Sequence, residues 1–451
     1  MSNLRDFHNL PITTDSDVAA EAFNRTIASY LKYRIDTPDH LKATLEADPK
    51  FALAHCCRGY FTLLTYKQAN VAAAKQAHQA ASEALQRASP REHAHVTALG
   101  NWIAGDLDRT IAIWEEILAD HPTDVLAMRL AHFNNFWLGR PEAMRKAIER
   151  IKRHWGASLP GYGTLLACSA FAHEECGDYE TAERNGRAAV EIDAADVWAT
   201  HAVAHVFEMQ GRRDEGIAWL GQLEPNWTST HNIVHHLWWH RALLHLEQSE
   251  IDAVLDLYDR HFRNLAAPLV VAQPDLYIDI QNAASMLFRL ERHGVDVGDR
   301  WTEIAEKAEA RIGDCLSVFT LPHWLMALAA AGRDAAANRM LDAMRSYGNT
   351  GATTARIVRD IAVPICEAVL AHRRADYERA IERMRPVLPS MHALGGSHAQ
   401  QDVLEQLFLD AAIKGNRPDD VRILLRRAGA CHPVPPARRI GYAEAAERFI
   451  H

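Results

Sequence analysis

LLACSAFAHEECGDYETAERNGRAAVEIDAAD, residues 165–196, decides the fold. Two alanine-rich stretches of helical period flank a tight turn at Cys176-Gly177-Asp178, and nothing in them alternates apolar with polar residues as a half-buried strand would. Ala170, Gly177, Ala182 and Ala188 are small and Tyr179 follows the turn. Small side chains at those places let two antiparallel helices approach closely. The stretch therefore reads as one helix–turn–helix repeat, a unit that cannot bury its apolar face without a neighbour.

The same turn recurs on either side. Gly105 (AGDLDRTI), Gly139 (LGRPEAM), Gly177, Gly211 (QGRRDEG) and Ser249 (QSEIDAV) stand 34, 38, 34 and 38 residues apart, the period of tetratricopeptide-type repeats. Pro49 and Pro122 fall between repeats, where a helix has ended and the next has yet to begin. Further on, turns at Gly332, Ala375 and Gly415 are 43 and 40 residues apart, a degenerate continuation. LAAPLVVAQPDLY, with Pro268 and Pro274, interrupts the pattern. The expected architecture is all-α: an α/α superhelix, a tetratricopeptide-repeat-like solenoid that is strongly curved. It divides into an N-terminal helical cap over 1–40, repeats over 41–261, a connecting segment over 262–276, and degenerate repeats with a C-terminal cap over 277–451.

Composition narrows the function classes. The 451 residues are 48% hydrophobic and 24% charged, which suits a globular chain and excludes dominant disorder. The net charge is −9 and no block of lysine or arginine is set to neutralise a phosphate backbone, so nucleic acid is not the expected partner. Seven cysteines without a Cys-x-x-Cys pair argue against a zinc ribbon or a secreted disulfide framework and for a reducing compartment. No basic region leads into an apolar run at the N-terminus, and no apolar stretch has the length of a membrane helix, so the expected location is cytoplasmic, away from membranes.

Three stretches carry more than the repeat: AFAHEECGDYETAE (170–183), WATHAVAHVFEMQGRRDEGIAWL (198–220) and HHLWWHRALLHLEQSEIDAVLDLYD (235–259). In this order they resemble the tetratricopeptide repeat protein 38 family, with SMLFRLERHGVDVGDRW (285–301) and LGGSHAQQDV (394–403) as further matches. The resemblance covers nearly the whole chain. It implies an α-solenoid and brings no settled activity or catalytic residues with it.

The chemistry is concentrated in histidine, of which the chain has 25. His201, His205 and Glu208 stand at i, i+4 and i+7, within a narrow arc of one helix face, and His236 and His240 repeat the i, i+4 spacing in the next repeat. First helices of stacked repeats lie side by side, so these four histidines and the glutamate are expected to converge. Two histidines one turn apart are able to hold one metal ion from a single helix, and an adjacent carboxylate completes a three-ligand site with an open position for water, so His201, His205, His236 and His240 are the candidate ligands of a divalent cation. Without metal, the same residues suit general acid–base chemistry, since histidine titrates near neutrality and a neighbouring carboxylate fixes its tautomer. The third alternative is a polar core layer in which they only bond across helices.

Around the cluster stand Trp198, Trp227, Trp238 and Trp239, of which Trp198 and Trp239 are the candidates for a ligand-facing wall. Gly395-Gly396-Ser397-His398-Ala399-Gln400 is a capping box that starts a helix and presents His398 and Asp402 one turn apart, toward a bound carboxylate or phosphate or as no more than a well-capped helix. His323, after Pro322 at a helix start, is a further ligand-binding candidate. Phosphate-binding glycine loops, dinucleotide fingerprints, zincin motifs and serine-hydrolase elbows have no supporting match. The sequence thus points to a His/Glu/Trp-lined pocket for a small polar or anionic ligand. If it is an enzyme, it is a hydrolase or lyase using His201, His205, Glu208, His236 and His240, with cofactor undefined beyond a divalent metal. The rival is a scaffold that holds a peptide along its groove. Either reading is compatible with a homodimer.

Overall fold

The computed structural model describes residues 4–449. The outermost residues of the expected end segments, 1–3 and 450–451, lie outside the described residues. Within them the chain is helical throughout, with no β-strand. Two isolated bridges, Arg5 to Pro11 and Arg34 to Thr230, are the sole extended pairings.

The turns explain the repeat. Gly105, Gly139, Gly177, Gly211 and Gly332 all have φ between +64° and +85°, the left-handed conformation that reverses a helix at little steric cost only for glycine. In the Gly-Asp turns the following aspartate then caps the next helix, Asp106 accepting from the Arg109 N–H at 2.9 Å and Asp178 from the Thr181 N–H at 3.2 Å. Ser249 (φ 60°) and Ala375 (φ 58°) adopt the same conformation without glycine's freedom. At the last turn the left-handed residue is Asn416 (φ 52°), one place after the expected Gly415, because asparagine tolerates that region and completes the reversal itself.

The chain forms two compact units. The first comprises residues up to Val203 together with Leu223–His231 and Gly351–Thr354. Its helices pair antiparallel in sequence order: Asp17–Leu31 with Thr37–Ala47, Ala52–Leu63 with Val71–Glu83, Pro90–Ile103 with Leu107–Asp120, Val125–Trp137 with Pro141–Ile151, and Tyr162–Glu174 with Tyr179–Ile192. The boundary expected at 40/41 falls inside Thr37–Ala47, which pairs with the helix before it. In the deciding repeat, Ala182, Gly186 and Ala189 form the buried seam at i, i+4, i+7, and Ala188 is half-buried beside it. A Cβ on Gly186 would stand 2.5 Å from Val203 Cγ2, so the close approach there requires glycine.

The second unit comprises Ala204–Gln222, Asn232–Thr350 and residues from Ala355 onward. Its paired helices include Ile233–Glu247 with Ile251–Leu257, Tyr277–Arg292 with Arg300–Ala310, Thr320–Ala330 with Asp334–Tyr347, Val363–Arg373 with Tyr377–Met384, and His398–Lys414 with Pro418–Cys431. The expected connecting segment holds a short helix, Pro268–Ala272, after a wide turn at Tyr258–Phe262. Tyr277–Arg292 is the central element, packed by Ile233–Glu247, Thr320–Ala330 and His398–Lys414, and every residue from Asp279 to Leu290 is buried. Five of those buried residues are polar or charged and each is bonded to a neighbouring helix, which makes this helix the spine of the site described next.

Candidate functional site

Helix Val197–Gln210 starts in the first unit and carries His205 and Glu208 into the second. There the i, i+4 pair His236 and His240 comes from Ile233–Glu247. His205, His236 and His240 each bring a ring nitrogen to within 4.8 Å of the other two. Their ring centroids are 4.3 Å apart for His205 and His240 and 4.6 Å for His236 and His240. All three are buried.

His236 and His240 are held from behind. His236 Nδ1 bonds Asn282 Oδ1 at 2.8 Å, and the ring lies flat on Trp239, 5.0 Å between centroids and 11° between planes. Trp239 is itself pinned, its indole N–H donating to Ser285 Oγ at 3.2 Å. His240 Nδ1 bonds Glu208 Oε2 at 2.8 Å. Asn282, Ser285 and Arg289 occupy i, i+3 and i+7 of Tyr277–Arg292, so one face of the central helix orients the site.

Burial dominates the protonation of these groups. It holds the His205 and His236 imidazoles well below their ordinary range, with the neighbouring imidazoles adding to it, and pushes His240 down to about 3. Burial also raises Glu208 to about 8, against the pull of Arg289 and Arg439. Near neutrality the Glu208–His240 pair therefore holds a proton within its hydrogen bond, and the three imidazoles are uncharged.

Glu208 also lines a cavity of about 40 Å³, walled by Arg289, Arg439, His398, Asp402 and Glu247 among others. The space holds a few waters or a molecule of similar size. Asp402, expected as a ligand-binding group, is committed to the wall: it receives Arg289 Nη2 at 3.3 Å, the Arg439 guanidinium, the Tyr442 hydroxyl at 2.5 Å and the Gln406 amide at 2.7 Å. The two guanidiniums hold its carboxyl down at about 2 despite burial. His398 also lines the cavity. The helix it opens is closed by the expected capping box, Ser397 Oγ accepting from the Gln400 N–H at 3.2 Å and Gln400 Oε1 from the Ser397 N–H at 3.0 Å.

The other expected residues have the following surroundings. Trp198 and His201 belong to the first unit, where Trp198 is buried against Phe171 and the His201 ring, at 4.8 and 4.7 Å, with the Arg129 guanidinium 4.7 Å from its own ring. Trp198 is thus packed as part of an aromatic cage around a buried arginine. Trp239 is a platform for His236, as above. His323 is buried, bonds the Phe319 carbonyl through Nδ1 at 2.9 Å and does not line the cavity. Trp227 is buried in the first unit, and Trp238 packs on His261 at 4.2 Å.

Sequence reading missed Asn282, Ser285, Arg289 and Arg439 as site residues. Asn282, Ser285 and Arg289 carried a usable signal, three polar residues at i, i+3, i+7 that share one face of a helix. Arg439 carried none, since it lies in an irregular C-terminal segment.

No family model matches the chain. Among solved structures, one described as Naa15/Naa10 bound to HypK-THB aligns with 12% sequence identity and a TM-score of 0.26, over 95% of this chain and 66% of that one. The chain thus spans about 66% of that neighbour's length. Among the described residues no helix is long and apolar enough to cross a membrane.

Proposed function

We propose that the second unit binds a small anionic molecule and moves a proton on it, in a hydrolysis or an elimination. In this reading Glu208 and His240 are the acid–base pair and Arg289 and Arg439 supply the positive field. His205 and His236 complete the polar set, and His398 closes one wall. The observation that supports it is the position of Glu208, whose carboxyl is bonded to His240 at 2.8 Å and also faces the arginine-walled cavity. A proton relay that reaches a small cavity is what general acid–base catalysis needs, and such relays contribute about 10²- to 10⁴-fold to rate. A cavity of about 40 Å³ suits a molecule of a few heavy atoms and is too small for a peptide. The similarity to the tetratricopeptide repeat protein 38 family is part of this reading and adds no residue roles.

The test is thermal denaturation of the full chain with formate, acetate, malonate and inorganic phosphate. At least one should raise the melting temperature, and Arg439→Lys should blunt that rise. An anion that binds is then assayed for turnover, which Glu208→Gln should cut by about a hundredfold or more. No shift with any of the four, or an undiminished shift in Arg439→Lys, would overturn the reading.

A further inference from the structure

We propose that His205, His236 and His240 are imidazole ligands of a single divalent transition-metal ion of the zinc class. The proposal deepens the reading of the same site given above, and it rests on geometry that reading does not use.

Three ring nitrogens drawn from two helices lie within 4.8 Å of one another. Nitrogens bound to one tetrahedral ion at about 2.0–2.1 Å stand roughly 3.4 Å apart, so closing around the ion needs movements of about an ångström, within reach of side-chain torsions alone. The tautomers suit it as well. An amide oxygen only accepts, so in the 2.8 Å bond to Asn282 Oδ1 it is His236 Nδ1 that carries the proton, and Nε2 keeps the lone pair a metal requires. Behind His240, Glu208 Oε2 stands 2.8 Å from Nδ1, so the ring's other nitrogen, Nε2, faces away from that bond. A ligating histidine whose other nitrogen donates to a carboxylate or amide oxygen is the recurrent outer layer of zinc sites, where it fixes the ring and raises its basicity.

The supporting layer is rigid. The flat stacking of His236 on Trp239, and the Trp239 N–H bond to Ser285, leave that ring little freedom to turn away. Imidazole-only donors favour zinc, copper, nickel or cobalt over magnesium or calcium, which take oxygen ligands. When bound, such an ion polarises an oxygen ligand and lowers the pKa of its water.

The experiment uses the untagged full chain, stripped by chelator dialysis and titrated with Zn²⁺, with Co²⁺ as a spectroscopic probe. The expected result is close to one zinc per chain by elemental analysis and an intense visible Co²⁺ absorption of the tetrahedral type. His205→Gln and His236→Gln should each abolish the absorption. Asn282→Leu keeps all three rings and should weaken zinc binding by about 10- to 100-fold; it serves as the second variant should a histidine replacement fail to fold. Zinc far below one equivalent with no Co²⁺ absorption, or stoichiometric binding that none of the three variants changes, would overturn the proposal. Anion stabilisation of the metal-free chain would persist in that event if the reading above holds. Conversely, stoichiometric zinc with no anion effect would sink that reading and leave this one standing.

Discussion

Asp402 shows how much of the second unit hangs on single residues. Its carboxylate is half-buried between Arg289 and Arg439 and takes two further hydrogen bonds, from Tyr442 and Gln406. Removing the charge leaves two guanidiniums without their shared anion, a loss of the kind that costs about 3–5 kcal/mol. Asp402→Asn should therefore lower stability to chemical denaturation strongly at pH 7. The pH dependence follows from the depressed pKa. A carboxyl at about 2 in the fold and 3.8 in the unfolded chain contributes stability that is fully present above the higher value and is lost as pH falls through the lower one. The contribution is about 2 kcal/mol. The stability gap between wild type and Asp402→Asn should narrow by that amount from pH 5 to pH 2, and a gap that widens on acidification would contradict the assignment. At this scale the histidines were legible because their i, i+4 spacing is local. Arg439 was not, because it stands in an irregular segment and its meaning comes from a partner 37 residues away.

The element most readable in advance was the helix hairpin, because its determinants are also local: a left-handed residue, an aspartate cap and a seam of small side chains. What sequence misjudged were single steps of register, such as Ala188 in place of Ala189 and Gly415 in place of Asn416. Periodicity of 3.6 places a helix face without fixing which of two adjacent small residues sits deepest. The turns also hold a test. Ala375 has φ 58° at a position where other repeats use glycine, and a side chain in that region costs roughly 1–2 kcal/mol. Ala375→Gly relieves the clash and enlarges the freedom of the unfolded chain, two effects of opposite sign. The first is the larger, so the variant should be more stable by about 1 kcal/mol, read from urea unfolding. A destabilised variant would show that the strain is already relaxed.

Taken as a whole, the chain carries a period that announces the all-α repeat class but does not announce which pieces of chain belong to which unit. The first unit takes in Leu223–His231, where Ile35 N–H donates to the Ser229 carbonyl at 3.1 Å, His231 N–H to the Tyr33 carbonyl at 2.9 Å, and Arg34 to the Thr228 carbonyl at 2.9 Å. These contacts join residues nearly two hundred positions apart, and a repeat pattern, which describes neighbours, is silent about them. A fragment ending at residue 231 should consequently melt several degrees above one ending at residue 203, as followed by circular dichroism. Equal melting temperatures would mean that the added segment contributes nothing to the first unit.

The turn at Gly105 is completed by a still later stretch. The Thr353 N–H donates to the Gly105 carbonyl at 2.9 Å, and Ala352 Cβ sits where a side chain on Gly105 would be met at 3.0 Å. On a ribosome adding about 5–20 residues per second, the chain between those two residues takes about 12–50 seconds to appear. For that interval the nascent first unit waits with one hairpin tip open, so its last contact is set by the clock of synthesis and not by the speed at which helices fold.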